Sequence, residues 1–188
     1  MICGASLGAF IAFSDVEKQI PGNIILIGTP GEEGGAGKIK MIEKKLFEDL
    51  DSALMFHPAG YTSIRPNTLA LCEIHIEFYG RSSHASSAPD CGINALDGVI
   101  QTFNLINALR ARLRSDARIH GIITKGGESH NIIPDFAEAV FTVRAKDNEY
   151  CEMLIEMVRK CAEGVGIATG VKVKFNIVGR RKEVTINA

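Results

Sequence analysis

From Leu71 to Tyr79 the chain alternates: Cys72, Ile74, Ile76 and Phe78 fall on one face of an extended segment, Glu73, His75, Glu77 and Tyr79 on the other. Successive side chains of a strand point to opposite faces, so this pattern belongs to a sheet buried on one side only. The pattern recurs at Ala137, Ala139, Phe141 and Val143, which alternate with Glu138, Thr142 and Arg144, and again at Val171, Val173, Phe175 and Ile177. Residues Ile119 to Lys125 read as one more strand. Between the strands lie two amphipathic helices, one through Leu96, Val99, Ile100, Phe103, Ile106, Leu109 and Leu113, the other through Leu154, Ile155, Val158 and Cys161. The order strand, helix, strand, strand, helix, strand predicts a complete ferredoxin-like α+β domain over residues 67–180, with both helices on one sheet face.

Before Pro66 the pattern differs. Ala5 to Glu17 reads as a helix, Pro21 to Asn23 as a turn, and Ile24 to Ile27 as a strand covered on both faces. Ile39, Ile42, Leu46, Phe47 and Leu50 recur at helical spacing, and the run Ser52 to Phe56 ends at His57 and Pro58. Helix, strand, helix, strand predicts part of a parallel α/β sheet over residues 1–66, too little for a whole doubly wound domain. Residues 181–188 are expected to lead away from the second domain.

The 188 residues carry 21 basic and 22 acidic side chains, a balance that argues against nucleic acid or a membrane surface as the main partner. No apolar run is long enough to span a bilayer and no signal-peptide pattern opens the chain. The five cysteines are odd in number and not closely paired, which reads as reduced thiols and a cytoplasmic location.

The segment Gly28 to Lys38, GTPGEEGGAGK, sets Glu32 and Glu33 in a glycine loop after an apolar run. A phosphate loop does not fit, because the opening glycine of that motif falls on Glu32 and the required hydroxyl on Ile39. Two carboxylates would also repel a phosphate. At the carboxyl end of a buried strand one acid can take a metal while its neighbour accepts a proton from metal-bound water, and His57 ends the next strand on the same side. Equally, Glu32 and Glu33 can simply solvate a turn and cap a helix.

Four stretches in this order, GTPGEEGGAGK, FHPA, GRSSHASSAPDCGINALDG and GGESHNIIPDFAEAVFTVRA, together resemble the zinc-dependent aminoacylase and amidohydrolase family of metallopeptidases, in its branch of aminobenzoyl-glutamate hydrolases and dipeptidases. The resemblance implies a partial catalytic domain (1–66), a ferredoxin-like dimerisation or lid domain (67–180), and a return to the catalytic domain (181–188). It implies hydrolysis of an amide or peptide bond in a small N-acyl amino acid or dipeptide, by a homodimer joined through the lid. Glu32 matches the general base, Glu33 and His57 match zinc ligands, and two zinc ions are implied for the complete parent. His84 matches the lid histidine that polarises the scissile carbonyl of the partner subunit's substrate, and Asn131 and Arg144 match residues that hold the substrate carboxylate.

The family's first ligand motif, Cys-Gly-His, is only imitated by Cys3-Gly4, which Ala5 and Ser6 follow, and its last histidine ligand has no counterpart. An internal, inactive fragment with an incomplete zinc site is therefore expected. The alternative is a non-catalytic dimerisation module left from a truncated hydrolase.

Overall fold

The computed structural model describes residues 1–16, 19, 21–31, 37–64, 66 and 68–183. It divides into two compact units, Met1–Ile64 and Arg65–Ala188.

In the first unit the elements are helix α1 (Ile2–Asp15) and helix α2 (Gly37–Glu43). Neither buries a residue. The expected parallel α/β sheet is corrected here: among the described residues no strand forms in this unit, and every strand pairing is antiparallel. The two runs read as buried strands lie open, Ile25 being 61% and Leu54 95% exposed. A continuous apolar run marks a buried strand only where neighbours complete its ladder and cover both faces, and neither is provided here. The helix expected through Leu50 stops at Glu43, where turns begin and Lys45 takes φ 62°.

The second unit is an α+β layer pair. Its elements are β1 (Ala70–Tyr79), β2 (Ser83–His84), α3 (Ala95–Arg110), β3 (Arg118–Lys125), β4 (Ile132–Ile133), β5 (Phe136–Ala145), α4 (Asn148–Thr169) and β6 (Lys172–Arg181). Four strands form one antiparallel sheet in the order β3-β5-β1-β6, while β2 and β4 pair separately. The segments Leu71–Tyr79 and Val173–Ile177 therefore lie side by side, with Tyr79 opposite Lys172 and Ile74 opposite Ile177.

Period-two burial accounts for the two central strands. Ile74, Ile76 and Phe78 of β1 and Ala137, Ala139, Phe141 and Val143 of β5 are fully buried against the helices. Helix α3 answers with Val99, Thr102 and Ile106, and α4 with Leu154, Val158 and Ala162. The one buried polar side chain among these, Thr102, returns its hydroxyl to the Gly98 carbonyl at 2.8 Å. Both helices are capped by the residues their sequences supply: Asn94 Oδ1 accepts from Leu96 N and Asp97 N, and Asp147 Oδ1 accepts from Tyr150 N at 2.8 Å. Helix α4 ends on Gly170 in the left-handed region, its N–H bonded to the Gly166 carbonyl.

The opposite sheet face carries the polar residues of the alternation. Glu77 accepts from the Tyr79 hydroxyl and from Lys174 and Asn176 across β6. The Tyr79 hydroxyl first, then Lys174, holds the Glu77 carboxyl below its ordinary value of 4.5. A carboxyl depressed on folding adds stability that is full above the unfolded value and lost as pH falls through the folded one. Glu77→Gln should therefore flatten the loss of stability below about pH 4.5, as measured by urea titration at stepped acid pH. Unchanged acid sensitivity would remove Glu77 as its source.

Of the five cysteines, Cys72, Cys151 and Cys161 are buried thiols and Cys3 and Cys91 exposed ones, with no disulfide. Burial pushes the Cys151 thiol up to about 11 and raises Cys72 and Cys161 as well. Alkylation of the native chain should mark Cys3 and Cys91 quickly and the other three only after denaturation, a difference that mass spectrometry reads directly. No helix among the described residues is long and apolar enough to cross a membrane.

Candidate functional site

The chain leaves β1 at Tyr79 and turns through Gly80, whose N–H bonds to the Asp135 carbonyl at 2.7 Å. Arg81 then pairs with Ile93 through both backbone groups, at 2.9 Å each, and closes an 11-residue loop that holds His84. A methyl group on Gly80 would collide with the Ile93 carbonyl oxygen. Gly80→Ala is thus expected to cost about 1–3 kcal/mol, read as a lowered urea midpoint; an unchanged midpoint would show that the loop can slide.

Inside the loop β2 pairs with β4, Ser83 opposite Ile133 and His84 opposite Ile132. Ala85 N donates to the Asn131 carbonyl at 2.9 Å, tying the His84 loop to the Asn131 loop. His84 is exposed, but its ring is oriented: Nδ1 accepts from Ser86 N at 3.2 Å and from Ser87 N at 3.3 Å. An accepting Nδ1 is unprotonated, so the ring proton sits on Nε2, which is left as a donor. Asn131 is set the same way. Its Oδ1 accepts from the Ser129 hydroxyl at 2.6 Å, leaving the Nδ2 protons available. Nitrogen NMR of the chain labelled at histidine should find His84 as the Nε2–H tautomer; an Nδ1–H ring would contradict this arrangement.

An open cleft of about 460 Å³ lies beside these loops, bordered by Ala85, Asn94, Glu128, His130 and Pro134 among others. Glu128 and His130 were not singled out by sequence reasoning. Their place in the GGESHN loop, where Gly127 takes φ 112°, is the only signal that could have found them.

The other expected site residues lie elsewhere. Glu32 and Glu33 fall outside the described residues. His57 is exposed in the first unit and bonds through Nδ1 to the carbonyl of Pro58 at 2.9 Å. Among the described residues no group of three or more His, Cys, Asp or Glu stands close enough to hold a metal ion, so the expected zinc site of this chain is corrected. A closed or catalytic zinc site takes three or four converging protein ligands, and His57 belongs to no such group among the described residues. Arg144 is exposed on the open sheet face near the end of β5, opposite Leu71 of β1 and Arg118 of β3. His84 and Asn131 flank the other end, beyond the Tyr79–Phe136 pair. Eight residue steps along the strand separate Arg144 from Phe136, roughly 26 Å, so one subunit does not bring Arg144 to the two donors.

The peptidase dimerisation domain family model matches residues 69–169. The chain is 35% identical over 169 residues to the Xaa-Arg dipeptidase of Mus musculus, covering 90% of this chain and 39% of that protein. It is 34% identical over 182 residues to a p-aminobenzoyl-glutamate hydrolase polypeptide of Escherichia coli K12, covering 92% and 38%. It thus spans about two fifths of the length of these relatives. The aminobenzoyl-glutamate utilization protein from Klebsiella pneumoniae shares the fold at TM-score 0.72 and 20% identity, over 97% of this chain and 48% of that one. A hydantoinase/carbamoylase family amidase from Burkholderia multivorans shares it at TM-score 0.58 and 17% identity, over 63% and 29%. Family-level resemblance to peptidase and amidohydrolase enzymes is consistent across these matches.

Proposed function

Since the chain belongs to the peptidase dimerisation domain family, we propose that it is the dimerising, substrate-holding part of a hydrolase that cleaves an amide bond in a small dipeptide or N-acyl amino acid. The observation that carries this reading is the pair of donors, His84 Nε2–H and Asn131 Nδ2–H, left available by bonds to the other polar atoms of the two side chains. Fixed donors cost no reorganisation when negative charge develops on a carbonyl oxygen, and one such donor is commonly worth about 10²–10³ in rate. The names of two relatives point to an arginine and a glutamate in the substrates of those proteins. Both are amino acids with a free carboxylate, the group that the planar guanidinium of Arg144 suits.

Because Arg144 and His84 stand at opposite ends of one sheet, a single small substrate meets both only if two subunits contribute. The two sheet edges support a two-fold partner on one side. Edge strand β6 is protected by Lys172, Lys174, Arg180 and Arg181 and by an irregular register at Glu73/Ile74. Edge strand β3 exposes Ile122 (65%) and Ile123 beside Ile100 of α3, an apolar strip with open backbone groups. Pairing two copies along β3 would cover that strip. Sedimentation equilibrium of the 20.3 kDa chain should give twice that mass, and Ile122→Glu should return it to the monomer; a monomeric parent chain would defeat the dimer. In a hydrolase carrying this segment, loss of N-acyl amino acid hydrolysis on His84→Ala tests the reaction itself.

A further inference from the structure

The end of α3 and the turn after it read Arg110-Ala111-Arg112-Leu113-Arg114-Ser115. Ser115 thus has an arginine five, three and one residues before it, and no other serine of the chain has arginines at both the third and the fifth position before it. Ser115 and all three arginines are exposed. Two of the arginines have partners in the fold: Arg110 donates to the Ile119 carbonyl at 2.8 Å, and Arg114 pairs with Asp147 at 3.1 Å and lies over the Tyr150 ring. Arg112 makes no hydrogen bond or ion pair among the described residues, and neither does the Ser115 hydroxyl. An exposed arginine without a partner adds little to stability, so the fold does not account for the full spacing.

We propose that Ser115 is a phosphorylation site for a serine kinase that recognises arginines ahead of its target. Its hydroxyl oxygen attacks the γ-phosphorus of a nucleoside triphosphate. The new O–P bond replaces the bond from that phosphorus to the bridging oxygen, the hydroxyl proton passes to the kinase's base, and the nucleoside diphosphate leaves. Arginines at fixed spacing suit an acidic groove, where each guanidinium meets a carboxylate with two parallel hydrogen bonds. Such a groove takes its target as an extended segment, so the turn has to open. Little holds it closed, because the residues between α3 and β3 form neither helix nor strand. Its backbone bonds are Arg112 N to Leu109 O at 2.9 Å, Leu113 N to Arg110 O at 3.4 Å and Ala117 N to Arg114 O at 3.0 Å, with Arg114 N bonded to the Tyr150 hydroxyl at 3.1 Å. Each is worth about 0.5–1.5 kcal/mol net, the range of local opening rather than unfolding.

The fold also receives the product. Arg118 donates to the Ser115 carbonyl at 2.5 Å, which sets its guanidinium beside that residue. Arg118 and Arg114 can each give charge-assisted bonds to a phosphate that carries about −1.5 to −2 charge. Asp116, the next residue, is already engaged by Lys146 N at 2.9 Å.

The test is incubation of the whole folded chain with protein kinase B, an arginine-directed serine kinase, and ATP, with the product mapped by mass spectrometry. A synthetic peptide spanning Arg110 to Arg118 is run beside it. One phosphate on Ser115 in both is the expected result, lost in Ser115→Ala and slowed at least about tenfold in Arg112→Gln, a change that removes no hydrogen bond of the fold. Phosphorus NMR of the phosphorylated chain should then find the phosphoserine titrating below its ordinary value of about 6, and Arg118→Gln should return it toward that value without slowing the kinase. Phosphate on the peptide but not on the folded chain would show that the turn does not open, and overturns the site. So does a chain modified elsewhere, a rate unchanged in Arg112→Gln, or no phosphate on either substrate. An ordinary titration in the unsubstituted chain overturns the part given to Arg118.

Discussion

Replacing Phe141 by alanine is expected to lower the stability of the second unit by about 3–5 kcal/mol, the largest effect of any single side chain considered for its fold. The ring is fully buried in the middle of β5. It packs on Phe103 of α3 with ring centroids 4.7 Å apart. On β3 its direct partner is Gly121, where any side chain would run into the ring. The absence of a side chain at Gly121 makes the room that Phe141 fills, so truncating Phe141 leaves a space bounded by a glycine and fixed backbone that cannot collapse into it. Against a total of about 5–15 kcal/mol for a domain, that loss brings the unit near unfolding. Urea denaturation should show a much lower midpoint with an unchanged slope. A loss under about 1 kcal/mol would mean that the ring is not close-packed.

The same packing explains which elements could be read in advance. β1 and β5 sit in the centre of the sheet, each inner-face residue buried and each outer-face residue at least partly open, so the alternation in the residues is unbroken. At the edges the pattern blurs. β3 buries only Ile119, because one of its sides has no neighbour, and β6 loses its alternation where the register shifts opposite Glu73/Ile74. The pairing of β2 with β4 spans two residues on each side, too short for any periodicity to appear. The misreading lay in the first unit. Ile24 to Ile27 and Ser52 to Phe56 have the composition of parallel strands, but a strand's partners are remote in sequence, and composition does not reveal whether they are present.

For the candidate site, His84 and Asn131 were legible as motif positions. The donor role proposed for both was not, because it depends on Ser86 N, Ser87 N and the Ser129 hydroxyl occupying the other polar atoms. Nor was the distance between Arg144 and these donors, since the 13 positions from Asn131 to Arg144 turn into a strand running directly away from the site.

That separation makes subunit mixing the most informative experiment on a hydrolase carrying this segment. His84→Ala is expected to lower kcat by about 10²–10³ through loss of a transition-state donor, and Arg144→Ala to raise KM through loss of a charge-assisted carboxylate contact. Mixing the two variants and letting subunits exchange places both lesions in one site of each mixed dimer and leaves its other site intact. With half the dimers mixed, about a quarter of all sites regain both residues. Recovery toward a quarter of the unmutated rate is the expected result, because Arg144 of one subunit then serves the same substrate as His84 of its partner. If both residues served a site within one subunit, every site in the mixture would keep one lesion or the other, and the mixture would be no more active than the two variants measured apart.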